Sequence, residues 1–195
     1  MKIYLIRHGQ TTGDVEDRYG GAYDDDLTAK GITQAHKLSQ KLANSGIEVL
    51  YTSPLKRANQ TAKILQASLG CQIKTIDNLK ERNKNGILTG MTRAEAKIKY
   101  PELVEKLMDY RSQIQGAESQ EAFANRITTA FINITKISDY STIGMVTHGM
   151  PFWVIFDDFL GNNTIGAVHD CAYAIISQQG NKFSLVKTDG IEYKK

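Results

Sequence analysis

The sequence predicts an α/β protein of three layers, in which helices cover both faces of a doubly wound, mostly parallel sheet. Short runs at residues 3–6, 47–51 and 143–146 are apolar on both pleat faces, with Glu48 as the exception. This pattern is typical of strands that are buried on both sides. Segments with a helical repeat of apolar residues lie between these runs, and strands that alternate with helices indicate an α/β fold.

Three helices are predicted from apolar residues that recur every three or four positions. The repeats are Ile32, Ala35, Leu38 and Leu42; Leu55, Ala58, Ala62 and Leu65; and Phe123, Ile127, Ala130, Ile134 and Ile137. Ser53-Pro54 predicts the start of the second helix, as an N-cap followed by a proline in the first turn. The segment 92–95 has the sequence of a capping box and predicts a further helix start.

The last third of the chain completes the predicted sheet. Residues 150–160 read as a helix that is apolar nearly all round, and residues 172–177 and 183–187 read as strands. A further strand is predicted at 73–76. The length of 195 residues fits one domain with a continuous core, so residues 1–195 are expected to form a single domain.

Composition and charge narrow the classes of partner. Hydrophobic residues make up 41% and charged residues 23% of the chain, which is ordinary for a soluble globular protein. The net charge of +3 is scattered, without a basic stripe, so nucleic acid is not an expected partner. Only four consecutive apolar residues lie near the N-terminus, so neither membrane association nor export is expected and the predicted location is cytoplasmic. Cys71 and Cys171 have no metal-ligand spacing and read as reduced thiols.

Charged residues follow three of the predicted strands. Residues 7–9 are Arg-His-Gly, residues 147–149 are Thr-His-Gly, and Arg57 stands a turn after the strand at 47–51. In parallel sheets ligands lie beyond the carboxyl ends of the strands, so two arginines and two histidines are expected to meet at one edge. Such a cluster suits a tetrahedral dianion, and phosphate is the expected ligand.

The position of Arg57 in the first turn of a helix supports an anion site. The helix macrodipole disfavours a cation there, so an anion is expected nearby. Gly9 and Gly149 follow the two histidines. A glycine at these positions lets backbone amides approach a bound group closely.

Five segments, taken in order, resemble the histidine phosphatase superfamily, which includes cofactor-dependent phosphoglycerate mutase and fructose-2,6-bisphosphatase. They are LIRHGQT, LTAKGITQAHKL, LYTSPLKRANQTA, ERNKNGILTGMTRAEAKIKYP and VTHGMP. The resemblance spans nearly the whole chain, and within the superfamily it is to the small broad-specificity and α-ribazole-type phosphatases. It implies a phosphoglycerate mutase-like fold.

The resemblance also implies roles for five catalytic residues. His8 would be the nucleophile that forms a phosphohistidine, and Arg7, Arg57 and His148 would hold the phosphoryl oxygens. Glu81 would protonate the leaving group and then activate water, although from the residues alone it reads as a solvated carboxylate. The implied activity is hydrolysis of a small phosphorylated metabolite, such as a sugar phosphate, phosphoglycerate or α-ribazole phosphate, without a metal or other cofactor.

Substrate-binding candidates come from the same motifs, and one of them departs from the family. The candidates are Gln10, Asp14, Arg18, Gly21 and Gly149. Asp14 stands where the family usually carries asparagine, and a carboxylate repels phosphate. It either points away, braces a clamp arginine or weakens phosphate binding, and we favour bracing. Asp14 lies in an acidic loop, residues 11–27, whose other acidic residues read as solvated and flexible.

Residues 82–118 are expected to form a helical segment that covers the site. They contain no adjacent pair of arginines, which phosphoglycerate mutases carry for the substrate carboxylate, and this favours a phosphatase. Two alternatives remain: a mutase with the same chemistry, and a weakly catalytic regulatory module that binds phosphate. The expected partner is a small phosphorylated substrate, and assembly as a homodimer is left open.

Overall fold

One sheet of six strands organises the computed structural model, which describes residues 1–108, 113–161 and 165–194. The strands are β1 (Lys2–Arg7), β2 (Val49–Thr52), β3 (Gln72–Thr75), β4 (Thr142–Thr147), β5 (Ile165–Gln179) and β6 (Lys182–Tyr193). They lie in the order β3-β2-β4-β1-β5-β6. The first four strands pair in parallel, whereas β5 and β6 are antiparallel, so the predicted mostly parallel sheet is confirmed.

Helices lie on both faces of this sheet, as predicted. They are α1 (Thr12–Val15), α2 (Ala29–Leu42), α3 (Lys56–Leu69), α4 (Arg93–Lys99), α5 (Pro101–Met108), α6 (Gln120–Ile137) and α7 (Gly149–Leu160). Short 3-10 turns add Asp77–Leu79 and Gly86–Leu88. Within the described ranges, no helix combines the length and the apolar character that crossing a membrane requires.

Strand β1 shows why the short apolar runs predict a three-layer fold. Its side chains alternate between two cores: Ile3 and Leu5 pack in the cluster that contains residues of α6 and α7, and Tyr4 and Ile6 pack in the cluster that contains residues of α2 and α3. Successive side chains of a strand point to opposite faces, so a strand covered on both sides must be apolar at every position.

The sheet order brings three strand ends to one edge. Strands β2, β4 and β1 are adjacent and parallel, with Arg7 opposite Thr147 and Thr52 opposite Val146. Because parallel neighbours end at the same edge, the residues that follow these strands lie side by side. The topology therefore assembles the predicted charged residues in one place.

The segment 82–118 is less helical than predicted. It contains a 3-10 turn, α4 and α5, and residues 113–118 form no helix; residues 109–112 of this prediction lie outside the described residues. Glycines with positive φ, such as Gly86 and Gly90, interrupt regular structure at its start. The segment hydrogen bonds to the preceding loop, where the amide of Tyr19 donates to the carbonyl oxygen of Met91 at 2.8 Å. Coverage of the site by this segment stays a prediction.

Candidate active site

Arg57 joins the two histidines that the sequence placed at the sheet edge. Its Nε lies 3.2 Å from Nε2 of His8 and 3.2 Å from Nδ1 of His148. The two imidazole ring centroids are 5.0 Å apart. All three residues are buried, with exposed fractions of 5% or less. The fold therefore brings His8, Arg57 and His148 into contact, as the sequence predicts.

The tautomer of His8 is fixed by its own backbone neighbour. Nδ1 lies 2.7 Å from the carbonyl oxygen of Gly9, which can only accept a hydrogen bond, so Nδ1 carries the proton. Nε2 is then unprotonated and accepts from Arg57. Burial, followed by the charges of Arg57 and Arg7, holds the pKa of His8 well below its usual 6.5. His8 is thus a neutral imidazole whose unprotonated nitrogen, Nε2, directs its lone pair at the guanidinium of Arg57.

The tautomer of His148 is fixed by Arg57, and Ser53 accommodates it. Nδ1 of His148 accepts from Arg57, so the proton lies on Nε2, which donates to Oγ of Ser53 at 2.8 Å. Burial is the main cause that lowers the pKa of His148 well below 6.5, and the charge of Arg57 comes next. Both histidines of the site are therefore neutral.

The predicted role of Ser53 as a helix N-cap is wrong. Helix α3 begins at Lys56, and Leu55 occupies the N-cap position without a polar side chain to cap it. Ser53 lies too early for that role and is fully buried beneath His148. A helix does start close to the predicted position, but the Ser53 hydroxyl contacts His148 instead of capping that helix.

Three acceptors hold the outer nitrogens of the Arg57 guanidinium. Nη1 donates to the carbonyl oxygen of Tyr23 at 2.5 Å and to Oδ1 of Asp25 at 2.8 Å. Nη2 donates to the carbonyl oxygen of Gly21 at 2.8 Å. Gly21 has a φ of +77°, and a Cβ atom there would lie 2.7 Å from the carbonyl oxygen of Arg82, so only glycine fits. Gly21, a predicted substrate residue, thus acts on Arg57 through its backbone.

The expectation that Asp14 braces a clamp arginine is wrong. Its Oδ2 accepts from the backbone amide of Thr11 at 2.9 Å, and its own amide donates to Oγ1 of Thr11 at 3.2 Å. The two residues form the capping box of α1, and the Asp14 side chain is exposed. Its carboxylate is therefore committed to a helix N-terminus, where negative charge is favourable.

Arg7 presents an unpaired donor to the site. Its Nη1 donates to the carbonyl oxygen of Val168, and its Nη2 lies 3.4 Å from Oδ1 of Asp170. Nε is buried and has no partner among the described residues. A Cβ atom at Gly149 would lie 3.9 Å from this nitrogen, at the first residue of α7. A buried donor beside a glycine at a helix N-terminus suits an oxyanion.

Glu81 lies beside this unpaired donor. Its Oε1 accepts from the amide of Arg82 at 2.9 Å, and its Oε2 accepts from the amide of Met150 at 3.1 Å. A Cβ atom at Gly149 would lie 3.8 Å from Oε2. Burial raises the pKa of Glu81 above its usual 4.5, although both amides and the arginines oppose the rise. The interpretation of Glu81 as a solvated carboxylate, drawn from the residues alone, is therefore wrong.

The side chains of Gln10 and Arg18 hydrogen bond to residues outside the cluster of Arg7, His8, Arg57 and His148. Oε1 of Gln10 accepts from Oγ1 of Thr28, the N-cap of α2, at 2.9 Å. Arg18 pairs with Glu16, and its Nη1 donates to the carbonyl oxygen of Gly90 at 2.7 Å. It borders a cavity of about 460 Å³ whose other lining residues are Tyr23, Thr89, Gly90, Met91, Glu95 and Lys99. A substrate contact by either residue stays a prediction.

The assembled side chains can attack, hold and protonate a phosphoryl ester. They offer one neutral imidazole nitrogen, two guanidinium groups and one carboxyl group with a raised pKa. In the part of the chain that the structure describes, no group of three His, Cys, Asp or Glu side chains could hold a metal ion.

Comparisons with known proteins point to one superfamily of phosphatases and mutases. The family model of the histidine phosphatase superfamily (branch 1) matches residues 3–189. Phosphoserine phosphatase 1 of Hydrogenobacter thermophilus is 29% identical over 163 residues, which are 83% of this chain and 77% of that protein. The protein named Probable phosphoglycerate mutase GpmB of Proteus mirabilis is 31% identical over 166 residues, covering 83% of this chain and 75% of that protein.

A solved structure shares the fold. The α-ribazole phosphatase of Shigella flexneri superposes with a TM-score of 0.81 over 95% of each chain, at 23% identity. This likeness supports the three-layer architecture, while the family match over nearly the whole chain supports phosphatase-type or mutase-type phosphoryl transfer. The chain therefore belongs to the histidine phosphatase superfamily.

Proposed function

We propose that this protein hydrolyses small phosphomonoesters through a phosphohistidine on His8. In the first step, the lone pair of His8 Nε2 attacks phosphorus and the bond from phosphorus to the ester oxygen breaks. Glu81 gives its proton to the departing alkoxide. In the second step, Glu81, now ionised, takes a proton from water as the water oxygen attacks phosphorus. The bond between phosphorus and Nε2 of His8 breaks, inorganic phosphate departs, and Nε2 is again unprotonated.

The observation that carries this proposal is the state of the His8 imidazole. A nucleophilic histidine must be neutral and must present the unprotonated nitrogen to the substrate. The contact between Nδ1 and the Gly9 carbonyl meets the second condition, and the depressed pKa meets the first. Nε2 faces the guanidinium of Arg57, where the phosphoryl group would be held.

The two arginines would supply most of the remaining catalysis. General acid catalysis contributes about 10² to 10⁴ in rate, while phosphomonoester hydrolysis needs far more. The rest would come from the covalent step and from donors that are already oriented toward the developing charge. The Nε atoms of Arg7 and Arg57 are the donors that the geometry offers for this purpose. The proposed cycle uses neither a metal nor another cofactor.

Hydrolysis is proposed in preference to mutase transfer. Residues 82–118 contain no adjacent arginine pair of the kind that phosphoglycerate mutases carry for the substrate carboxylate. The single-domain organisation and the cytoplasmic location stay predictions, and assembly as a homodimer stays open.

The test is phosphate release from a panel of phosphomonoesters at about pH 5 to 8, with EDTA present. The panel includes sugar phosphates, phosphoglycerates, phosphoserine and α-ribazole phosphate. Wild type is compared with His8→Ala, and His36→Ala, which removes an exposed histidine, is the matched control. Acid-labile labelling of the protein by a radioactive phosphoryl group would identify the phosphohistidine.

Turnover that survives EDTA, together with labelling that is lost only in His8→Ala, is the expected result. Loss of turnover with EDTA would contradict the metal-free mechanism. Interconversion of phosphoglycerates without phosphate release would identify a mutase. A folded wild-type protein that binds phosphate but turns over no panel member would support the regulatory-module alternative.

A further inference from the structure

The acidic run Asp24–Asp26 packs against the start of α3, the helix that carries Arg57. Oδ1 of Asp24 accepts from the backbone amide of Lys56 at 2.7 Å, and Oδ1 of Asp26 accepts from Nε2 of Gln60 at 2.8 Å. Helix α3 has only Leu55 at its N-cap, so Asp24 supplies an acceptor that the local sequence lacks. The prediction that the acidic residues of this loop are solvated is wrong for Asp25, which is buried, whereas Asp24 and Asp26 are exposed.

Asp25 is the buried member of this run. Its Oδ1 accepts from Nη1 of Arg57 at 2.8 Å, and its Oδ2 accepts from the amide of Gly13 at 3.1 Å. The side chains of Asp25 and Arg57 are each only 5% exposed. A Cβ atom at Gly13 would lie 2.5 Å from Oδ2 of Asp25, so the close contact needs glycine there. Asp25 thus connects the loop after β1 to Arg57.

The ion pair explains the cation in the first turn of α3. The macrodipole disfavours a positive charge at this position, and a buried guanidinium needs a compensating anion. Asp25 is that anion in the structure, before any substrate binds. Because Asp25, Tyr23 and Gly21 occupy the outer nitrogens of Arg57, its Nε is directed at the two histidines.

We propose that Asp25 is a positioning residue for the phosphoryl transfer proposed above, which holds the guanidinium of Arg57 with Nε toward His8. The proposal rests on the proposed function for its effect on rate, but its effect on geometry can be measured without turnover. Asparagine cannot replace Asp25 fully, because one of its two polar atoms is a donor and would face either Gly13 N–H or Arg57.

The test compares Asp25→Ala with Asp24→Asn as the matched control. Asp24 is exposed, lies in the same loop, and after substitution still carries an oxygen that can accept from Lys56. The two readouts are kcat/KM for the substrate found above and the titration of the His8 imidazole by NMR. Should Asp25→Ala fail to fold, Asp25→Asn carries the same comparison.

The direction of the His8 titration separates positioning from a simple charge effect. Burial first, and then Arg57, lower the pKa of His8, so displacement of Arg57 would raise that pKa. Loss of a nearby carboxylate, with Arg57 still in place, would leave the pKa unchanged or lower it. The expected result is an upward shift with a fall in kcat/KM of about tenfold or more, because small misplacements of catalytic groups are costly.

An unchanged or downward titration of His8 in a folded Asp25 variant would overturn the proposal. The same shift in Asp24→Asn would also overturn it, because the effect would then belong to the loop as a whole. If wild type turns over no phosphomonoester, the proposed function fails, while the His8 titration still decides the role of Asp25.

Discussion

The Nδ1 atom of His8 lies 2.7 Å from the carbonyl oxygen of Gly9, the next residue in the chain. This contact sets the protonated nitrogen of His8, the proposed nucleophile, without help from another side chain. A Cβ atom at Gly9 would lie only 2.6 Å from the carbonyl oxygen of Gly31, so the backbone is held close to the start of α2. The backbone at Gly9 therefore decides which nitrogen of His8 carries the proton and which one faces Arg57.

Stability should fall as the pH decreases below about 6.5, the unfolded value for histidine. The pKa values of His8 and His148 are both lower in the folded protein, so the unfolded chain binds more protons between the folded and unfolded values. In that window each histidine lowers the free energy of unfolding by about 1.4 kcal/mol for each unit that the pH falls. Urea unfolding of wild type at several pH values measures the slope.

Glu81 changes the pH dependence of stability in the opposite direction to the two histidines. Its pKa is raised, so its protonation stabilises the folded state as the pH falls through the range above 4.5. The histidine contribution is therefore isolated by comparing wild type with His8→Asn, which should show a shallower slope below about pH 6.5. His36→Gln removes an exposed imidazole and serves as the control. Equal slopes in wild type and His8→Asn would contradict the assignment of a depressed pKa to His8.

Glu81→Gln should lower kcat/KM, which reports the departure of the alcohol in the first step, by about 10² to 10⁴ for alkyl phosphates, because a poor leaving group needs the proton. Hydrolysis of p-nitrophenyl phosphate should be affected less, since its leaving group departs without protonation. In wild type, kcat/KM should fall at high pH as Glu81 loses its proton, and this limb should vanish in the variant. Glu121→Gln, at an exposed carboxylate of α6, is the control. Equal losses on both substrates would argue against proton donation.

Ser53→Ala should destabilise the protein by about 1 to 3 kcal/mol, because it leaves the buried Nε2–H of His148 without its acceptor. The Nδ1–H tautomer would then compete, and its proton would face Nε of Arg57, so kcat should fall as well. Urea unfolding and steady-state kinetics measure the two effects. Ser141→Ala, at an exposed serine before β4, should change neither quantity. Wild-type kcat in Ser53→Ala would show that the His148 tautomer does not matter.

Arg7→Lys should weaken the binding of inorganic phosphate by about tenfold or more. The planar guanidinium reaches Val168 and Asp170 with its outer nitrogens while its buried Nε remains available. An ammonium group is a point charge and cannot serve all three directions. Calorimetry gives the affinity, and Arg93→Lys, at an exposed arginine, is the reference variant. Unchanged phosphate affinity would remove Arg7 from the proposed clamp.

Residue patterns were sufficient to predict the main helices and the meeting of Arg7, His8, Arg57 and His148. Apolar periodicity reports which positions are buried, and α2, α3 and α6 follow it, except at Ile32 and Ile137, which are exposed. The parallel arrangement then requires residues after adjacent strands to lie at one edge. Glu81 came from the family resemblance, since nothing in its local sequence distinguishes it from a surface carboxylate.

The tertiary structure decided the partners of these side chains. Ser53 and His148 are 95 positions apart, and Asp25 and Arg57 are 32 apart. Such contacts depend on how distant loops pack, which no local pattern encodes. Asp14 and Asp25 lie in the same acidic loop, yet one caps an exposed helix and the other is buried against Arg57. The sequence by itself determined the layers and the chemical groups of the site, whereas packing alone decided which carboxylate faces a charge and which histidine nitrogen carries the proton.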